Sequence, residues 1–577
     1  MITTMLTVAA LSVVLTASPG QVASSSGTIQ APQQAQPRDP TAPVAKGTGV
    51  IKGKVTTADG GRPMRRVQLS LSSPALSEGK TMSTNSQGVF EFTELPAGRY
   101  MLTASRGGYL RLQYGQRRPG EPGRPIHLNE AQTFTSADFA LPRASALVGR
   151  ITDEVGDPLP GASIFPMQFK FYRGQRRMVP VSSGGPFNRT DDTGGYRITG
   201  LEPGEYFVMA TTRDAWNDET NPKERIGFLP TYSGGTPDPA TALRVKVGLG
   251  QEVIVPDFAM APGRVGTISG TAMSSTGMPL AGESVSMSQE FSGPGSMSSF
   301  GAPGTKVGPD GSFVIRNVSP GEYKISVALP GGGDRQPEAA SMTLVFSGDD
   351  LGGVSLVTSP AGSMRGRVLS DTGEPLPAGH RMRVTARPLD PQRTWRVPGG
   401  ASPLENGRVK DDMTFEITGV FGPNRLSLLP PPHGWALKSI DYDGKDLAET
   451  PVDVQGGQAI TGITVVLSKS MPTVMGTLVD AKGQPVAGTV LLFPDDPAKW
   501  AEEARLTRST RPDDTGRFEF IHTVPGTYFI VALEYVRSDQ WADPAFLEDL
   551  RSQATRVHVE EGSPPAPVSL RLTAGVR

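Results

Sequence analysis

Residues able to carry chemistry are few in this chain. The histidines are His127, His380, His433, His522 and His558, scattered singly along 577 residues. None sits in an HExxH, HxH or close carboxylate–histidine spacing, so histidine-based metal hydrolysis has no local signature. Cysteine is absent. That removes thiolate nucleophiles, disulfides and thiolate ligation of zinc or iron–sulfur clusters. No GxSxG, GxxxxGK[ST] or strand-to-helix GxGxxG phrase occurs. Among 57 acids no pair is placed beyond chance for two-carboxylate hydrolysis. The expectation is a protein without catalytic residues, metal or cofactor.

Two weaker constellations remain. Asp191-Asp192, Asp411-Asp412 and Asp513-Asp514 look like equivalent acidic turns. Calcium needs six to eight oxygens from several directions, and two carboxylates in one turn fall short. An Asx-turn, in which the carboxylate accepts backbone N–H groups, uses the same residues. The tryptophans Trp216, Trp395, Trp435, Trp500 and Trp541 all lie outside the phrases that recur along the chain. Such a ring either buries against its own surroundings or offers an apolar face to a sugar, with nearby polar groups bonding the hydroxyls. The richest group is Asp214, Trp216, Asn217 and Asp218 with Tyr232, and these five form the candidate ligand site. The arginines Arg106, Arg111, Arg117, Arg118 and Arg124 read as solvated surface, with a polyanion contact as the sharper alternative.

The elements that position these residues are legible. RTDDTGGYRITGLEPGEYF, residues 189–207, reads as turn, strand, turn, strand. Tyr196 and Ile198 alternate with Arg197 and Thr199, the period of a half-buried strand. Pro203-Gly204 predicts a type II turn with Gly204 at positive φ. The phrase returns at 84–100, 307–323 and 511–528, and in degenerate form at 409–426. There Gly422-Pro423-Asn424 replaces the Pro-Gly turn, and Asn424 is expected to take the left-handed position. Each copy is preceded by a strand–turn–strand opening anchored on Gly53, Gly149, Gly270, Gly366 or Gly476. Many short strands with frequent turns predict two packed antiparallel sheets per unit, in units of about 100 residues that fold alone. Residues 496–506 and 543–554 are helical candidates that decorate loops, with Asp543 as the cap of the second.

The paired phrases resemble the carboxypeptidase regulatory-like domain. The matching features are Gly149, Pro160-Gly161, Asp192, Gly194, Tyr196, Pro203-Gly204 and Tyr206, with equivalents through most of residues 48–572. The resemblance implies an all-β chain of five tandem Greek-key β-sandwiches, transthyretin-like or immunoglobulin-like in class. The expected domains are 48–142, 143–261, 262–359, 360–469 and 470–577, set in a row. It also implies an accessory, often non-catalytic module in an exported bacterial protein, and leaves the ligand open.

Residues 1–23 are expected to be a signal peptide, from the apolar run at 5–17 and the small residues before Ala17 and Ala23. The n-region has no Lys or Arg. Residues 24–47, rich in Ser, Gln, Pro and Ala, read as a disordered linker. Net charge is -1, which gives no drive toward nucleic acid or acidic lipid. The expected location is secreted or periplasmic, or associated with the cell surface, with no stable membrane insertion after cleavage. Function falls between two classes. One is a non-catalytic structural or protein-interaction protein of the spacer or adhesion kind. The other is a carbohydrate-binding array with one glycan site in the second unit. The expected partner is a protein or a cell-envelope polysaccharide.

Overall fold

The structure is a computed structural model. It describes residues 47–573 except 74, 77, 119, 173–174, 182, 184–187, 290–300, 332–335, 379, 390–405, 433, 501–504 and 538–539. The expected signal peptide, nearly all of the linker, Trp395 and His433 lie outside the described residues. Among the described residues there is one α-helix, Pro544–Arg551, and the rest of the regular structure is β with short 3-10 turns.

The second repeat shows the plan. Strand Ser145–Thr152 pairs antiparallel with Gly195–Leu201, setting Gly149 opposite Tyr196. Its other edge pairs parallel with the closing strands Glu252–Ile254 and Phe258–Ala259. A facing sheet holds Ser163–Tyr172, Gly204–Thr211 and their neighbours. Leu147, Ile151, Tyr196, Ile198, Tyr206 and Val208 fill the space between. The alternation seen in the sequence is therefore the inward face of each strand. Equivalent cores form within residues 51–141, 268–356, 364–467 and 474–570.

The sheet carrying each repeat's first strand is mixed, not purely antiparallel. In every repeat the first strand runs parallel to the closing strand. Parallel neighbours need a long crossover, and here the body of the repeat is that crossover. The recurring glycines sit at this junction. Each faces an aromatic ring across the antiparallel pair, as Gly53 faces Phe90, Gly270 Phe313, Gly366 Phe415 and Gly476 Phe518. A Cβ on Gly366 would stand 2.2 Å from the carbonyl oxygen of Ile463 on the closing strand. Backbone approach that close excludes every side chain, which is why the glycine returns once per repeat.

Two turn expectations are corrected. Gly204 is not at positive φ, nor is Gly98. Both open a strand, and the Pro-Gly pair serves the tyrosine that follows. Tyr206 folds back so that its hydroxyl donates to Glu202 O at 2.7 Å, and its ring passes 3.5 Å from where a Gly204 Cβ would be. Tyr100, Tyr323 and Tyr528 make the same tie to Pro96, Ser319 and Val524. In the fourth repeat Gly422 has φ 64°, while Asn424 lies buried in strand Gly422–Leu429. Asn424 stands at the tyrosine's register position, and its amide donates to Phe421 O and Gly422 O. A short amide there does the work of the phenol.

The repeats do not touch only their sequence neighbours, as a simple row would. The first repeat packs on the fifth through several ion pairs. The helix Pro544–Arg551 has Asp543 as its cap, accepting from Ala545 N, and buries Leu547 and Leu550. It covers the outer face of the fifth repeat's sheet, against Leu491, Phe493 and Trp500. In the first helical candidate the described residues form a 3-10 turn, Pro497–Lys499.

Candidate functional site

Trp216 lies in a short strand, Ala215–Asn217, opposite Ile226. The hairpin is closed by Asp218, whose Oδ1 accepts from the amides of Thr220 and Asn221 and from the Thr220 hydroxyl. These donors hold the Asp218 carboxyl below the usual carboxylate range. Asp214 accepts from the Thr212 hydroxyl at 2.8 Å, and Asn217 from Arg225 at 3.5 Å. The indole is half-buried and meets Phe228 edge-on at 5.0 Å, against the second repeat's core. Tyr232 is buried elsewhere, with Met167, Phe207 and Met209. Phe207 and Met209 alternate with Tyr206 and Val208 along one strand, so Tyr232 and Trp216 belong to opposite faces of that sheet. The five residues therefore do not share one open face. Strand Arg225–Phe228 also pairs with Pro262–Arg264, the entry to the third repeat. The hairpin braces the junction between repeats.

The other described tryptophans are also packed. Trp435 and Trp500 are buried, and Trp500 Nε1 donates to Pro494 O at 2.7 Å. Trp541 packs on the cluster around Phe493. The acidic turns close on themselves. Asp191 Oδ1 accepts from Thr193 and Gly195 amides, and Asp513 Oδ1 from Thr515 and Arg517 amides. The Asp411-Asp412 pair is offset: Lys410, not an aspartate, occupies the place of Asp191, since its N–H meets Thr414 O as Asp191 N–H meets Gly195 O. Asp412 instead accepts from the Thr414 amide and hydroxyl.

A group of charged pairs joins residues 115–118 and 120–124 of the first repeat to the fifth repeat. Glu121 and Arg511 form an ion pair with side chains only 5% and 7% exposed. The same Glu121 oxygen accepts the amides of Arg117 at 3.0 Å and Arg118 at 3.1 Å. Arg124 holds Asp514 with both terminal nitrogens, at 2.6 and 3.1 Å. Arg118 reaches Glu534 at 3.2 Å and lies over the Tyr535 ring at 5.3 Å. Arg99 and His127, neighbours across one strand pair, face Glu519 at 3.9 and 3.6 Å. Burial, then the nearby Arg508 and Arg99, lowers the pKa of His522. Between the two repeats lies a cleft of about 150 Å³ lined by Arg117, Arg124, Arg511, Asp513 and Asp514. Its arginines outnumber its aspartates, but Arg124 is already held by Asp514 and Arg511 by Glu121.

Residues 50–142 match the family model of the carboxypeptidase regulatory-like domain. This is the first repeat, where the sequence phrase and the core within 51–141 coincide. No curated protein matches the chain. Similar solved structures include the TIE protein of Bacillus anthracis, at 15% identity over 54% of this chain and 51% of that one, with TM-score 0.16. This chain thus spans about half the length of that relative. A minor pilin of Streptococcus agalactiae matches at 16% identity, 37% and 98% coverage and TM-score 0.21. Shaft pilin SpaA of Lactobacillus rhamnosus GG matches at 14% identity, 38% and 98% coverage and TM-score 0.19. The regulatory-like domain supplies Arg99, Arg118, Glu121, Arg124 and His127 to the contact with the fifth repeat. Reading the sequence flagged Arg117, Arg118 and Arg124 as surface and passed over Glu121 and Arg511. The one local signal was the unusual density of arginine beside a lone glutamate.

Proposed function

We propose that the chain is a non-catalytic, exported structural and interaction protein, built from β-sandwich repeats whose variable loops hold the repeats against one another. One observation carries this reading. Displaced pKa values cluster where proteins do chemistry. Among the described residues they trace to turns, to buried phenols and to pairs between repeats. Hydrogen bonds from Thr or Ser lower Asp191, Asp218, Asp310 and Asp412 in their own turns. Burial pushes Tyr100, Tyr323 and Tyr528 up to about 12, and each donates to its own turn. Arg508, Arg511, Asp514 and His522 belong to the first–fifth contact. Glu449 is raised by burial beside Arg505, which ties the fourth repeat to the fifth.

Export rests on the apolar run at 5–17 and the polar linker behind it. No helix among the described residues is long and apolar enough to cross a membrane, which leaves strand-based spanning aside. The partner on this reading is a protein met by the outer faces of the repeats, and a cell-envelope polysaccharide is the partner of the carbohydrate-binding alternative. A screen of the full chain against glycans and cell-wall polysaccharides tests the choice of class. No binding is expected. Micromolar binding, about -8 kcal/mol, that disappears in Trp216→Ala would establish the carbohydrate-binding class instead.

A further inference from the structure

The first and fifth repeats each have their own core, and among the described residues no strand of one pairs with a strand of the other. What joins them is side chains. Arg99, Arg118 and Arg124 present positive charge toward Glu519, Glu534 and Asp514, and the His127 imidazole faces Glu519 beside Arg99. In their midst Glu121 of the first repeat meets Arg511 of the fifth, a pair of the opposite sense and the most buried one. That reversal makes the surface specific. A slipped register would set Arg511 against Arg118 or Arg124, and Glu121 against an acid, and like charges side by side are strongly disfavoured.

We infer that this surface is an exchangeable self-recognition interface, and that the partner it fits is the fifth repeat of a second copy of this chain. Because side-chain pairs join the two repeats and, among the described residues, no strand pairing does, the contact can part without unfolding either repeat. The two faces differ, so a contact made between chains is heterologous, head to tail. Within one chain the intervening repeats carry the two faces together, which keeps the contact internal in dilute protein. When the internal contact is lost, the same charges remain available to another chain. This goes beyond the structural reading above, which stands whether or not the contact exchanges.

The test uses the full chain in four forms followed by sedimentation velocity. Glu121→Arg sets two arginines together, and Arg511→Glu sets two glutamates together, so neither variant alone can close the contact within a chain or between its own copies. An equimolar mixture restores complementary charge only between unlike chains, at both contacts of a pair. The expected result is that each variant alone sediments as a monomer, while the mixture associates at least tenfold more tightly. The double variant Glu121→Arg with Arg511→Glu recovers the monomer of the parent chain. A mixture that sediments as two separate monomers overturns the proposal. So does a double variant that stays open, because burial and not charge matching would then hold the surface. If either buried variant fails to fold, judged by near-UV circular dichroism, the exposed pair takes its place. Arg124→Glu mixed with Asp514→Arg is read by the same two outcomes.

Discussion

Glu121 and Arg511 stand 390 positions apart in the sequence and bury their charges against each other. Glu121 is fixed beforehand by the amides of Arg117 and Arg118, so its carboxylate is already aimed when Arg511 arrives. Leaving one member of such a pair buried alone costs about 3–5 kcal/mol. Here the repeats can separate and let water reach the orphaned charge. Arg511→Ala is therefore expected to open the contact and leave the fifth repeat folded. Hydrogen exchange at the Arg117 and Arg118 amides reports it. Faster exchange there by at least tenfold, with the strand amides of 526–533 unchanged, is the expected pattern.

The contact is also expected to loosen in acid. His522 has a pKa below its ordinary value of 6.5, through burial first and then Arg508 and Arg99. Arg99 belongs to the first repeat, so closing the contact disfavours protonation. A depressed pKa stabilises the closed form above the ordinary value and stops doing so as pH falls through the lowered one. Asp514, lowered by Arg124, adds a second loss below its ordinary value of 3.8. Scattering profiles taken from pH 8 down to pH 5 should expand only below about 6.5. His522→Gln should remove that part of the response.

The recurring glycine makes a prediction about stability. Gly366→Ala would push a methyl into the Ile463 carbonyl, and overpacking of this kind costs about 1–3 kcal/mol or more. Gly352, with only the Ser269 hydroxyl oxygen at 3.7 Å from a built Cβ, should accept alanine within about 0.5 kcal/mol. Urea midpoints of the two variants compare the sites directly.

Much of the fold is readable from the chain because its determinants are local. An alternating strand such as 196–199 shows its inward face, and Gly366 with Phe415 repeats the partnership of Gly270 with Phe313. The parallel closing strand was not readable, since pairing direction is set by partners about 90 residues apart. The Pro-Gly turn was misjudged for a related reason. Gly204 and Tyr206 act as one unit, and the tie to Glu202 O appears only once the ring folds back. Trp216 and Tyr232 are close in sequence but pack on opposite faces of a sheet, a separation that no local pattern reveals. The first–fifth contact left only the crowding of arginine around Glu121, with nothing to point to a partner 390 positions away. Arg124 looks like any surface arginine until Asp514 stands beside it.

Asn424 gives a sharper test of the turn ties. Tyr206→Phe, or the same change at Tyr323, removes one hydrogen bond and should cost about 0.5–1.5 kcal/mol. Asn424→Ala removes two bonds from a buried amide and leaves Phe421 O and Gly422 O without that donor. It should cost about 2–3 kcal/mol in the fourth repeat alone. Calorimetry that resolves the repeats would show one transition moving while the others stay.

The most direct measurement is the distance between the first and fifth repeats in solution. The chain has no cysteine, so Asn129→Cys with Lys482→Cys places two spin labels at chosen exposed points and nowhere else. A sandwich of about 100 residues has a radius of gyration near 13 Å, so three intervening repeats in line would part the labels by roughly 80 Å or more. Packed as the Glu121–Arg511 pair requires, the labels should show a narrow distribution below about 40 Å that broadens and lengthens in Arg511→Ala. A single long distance in the parent chain, unchanged by Arg511→Ala, would contradict the structural reading of loops that hold the repeats together.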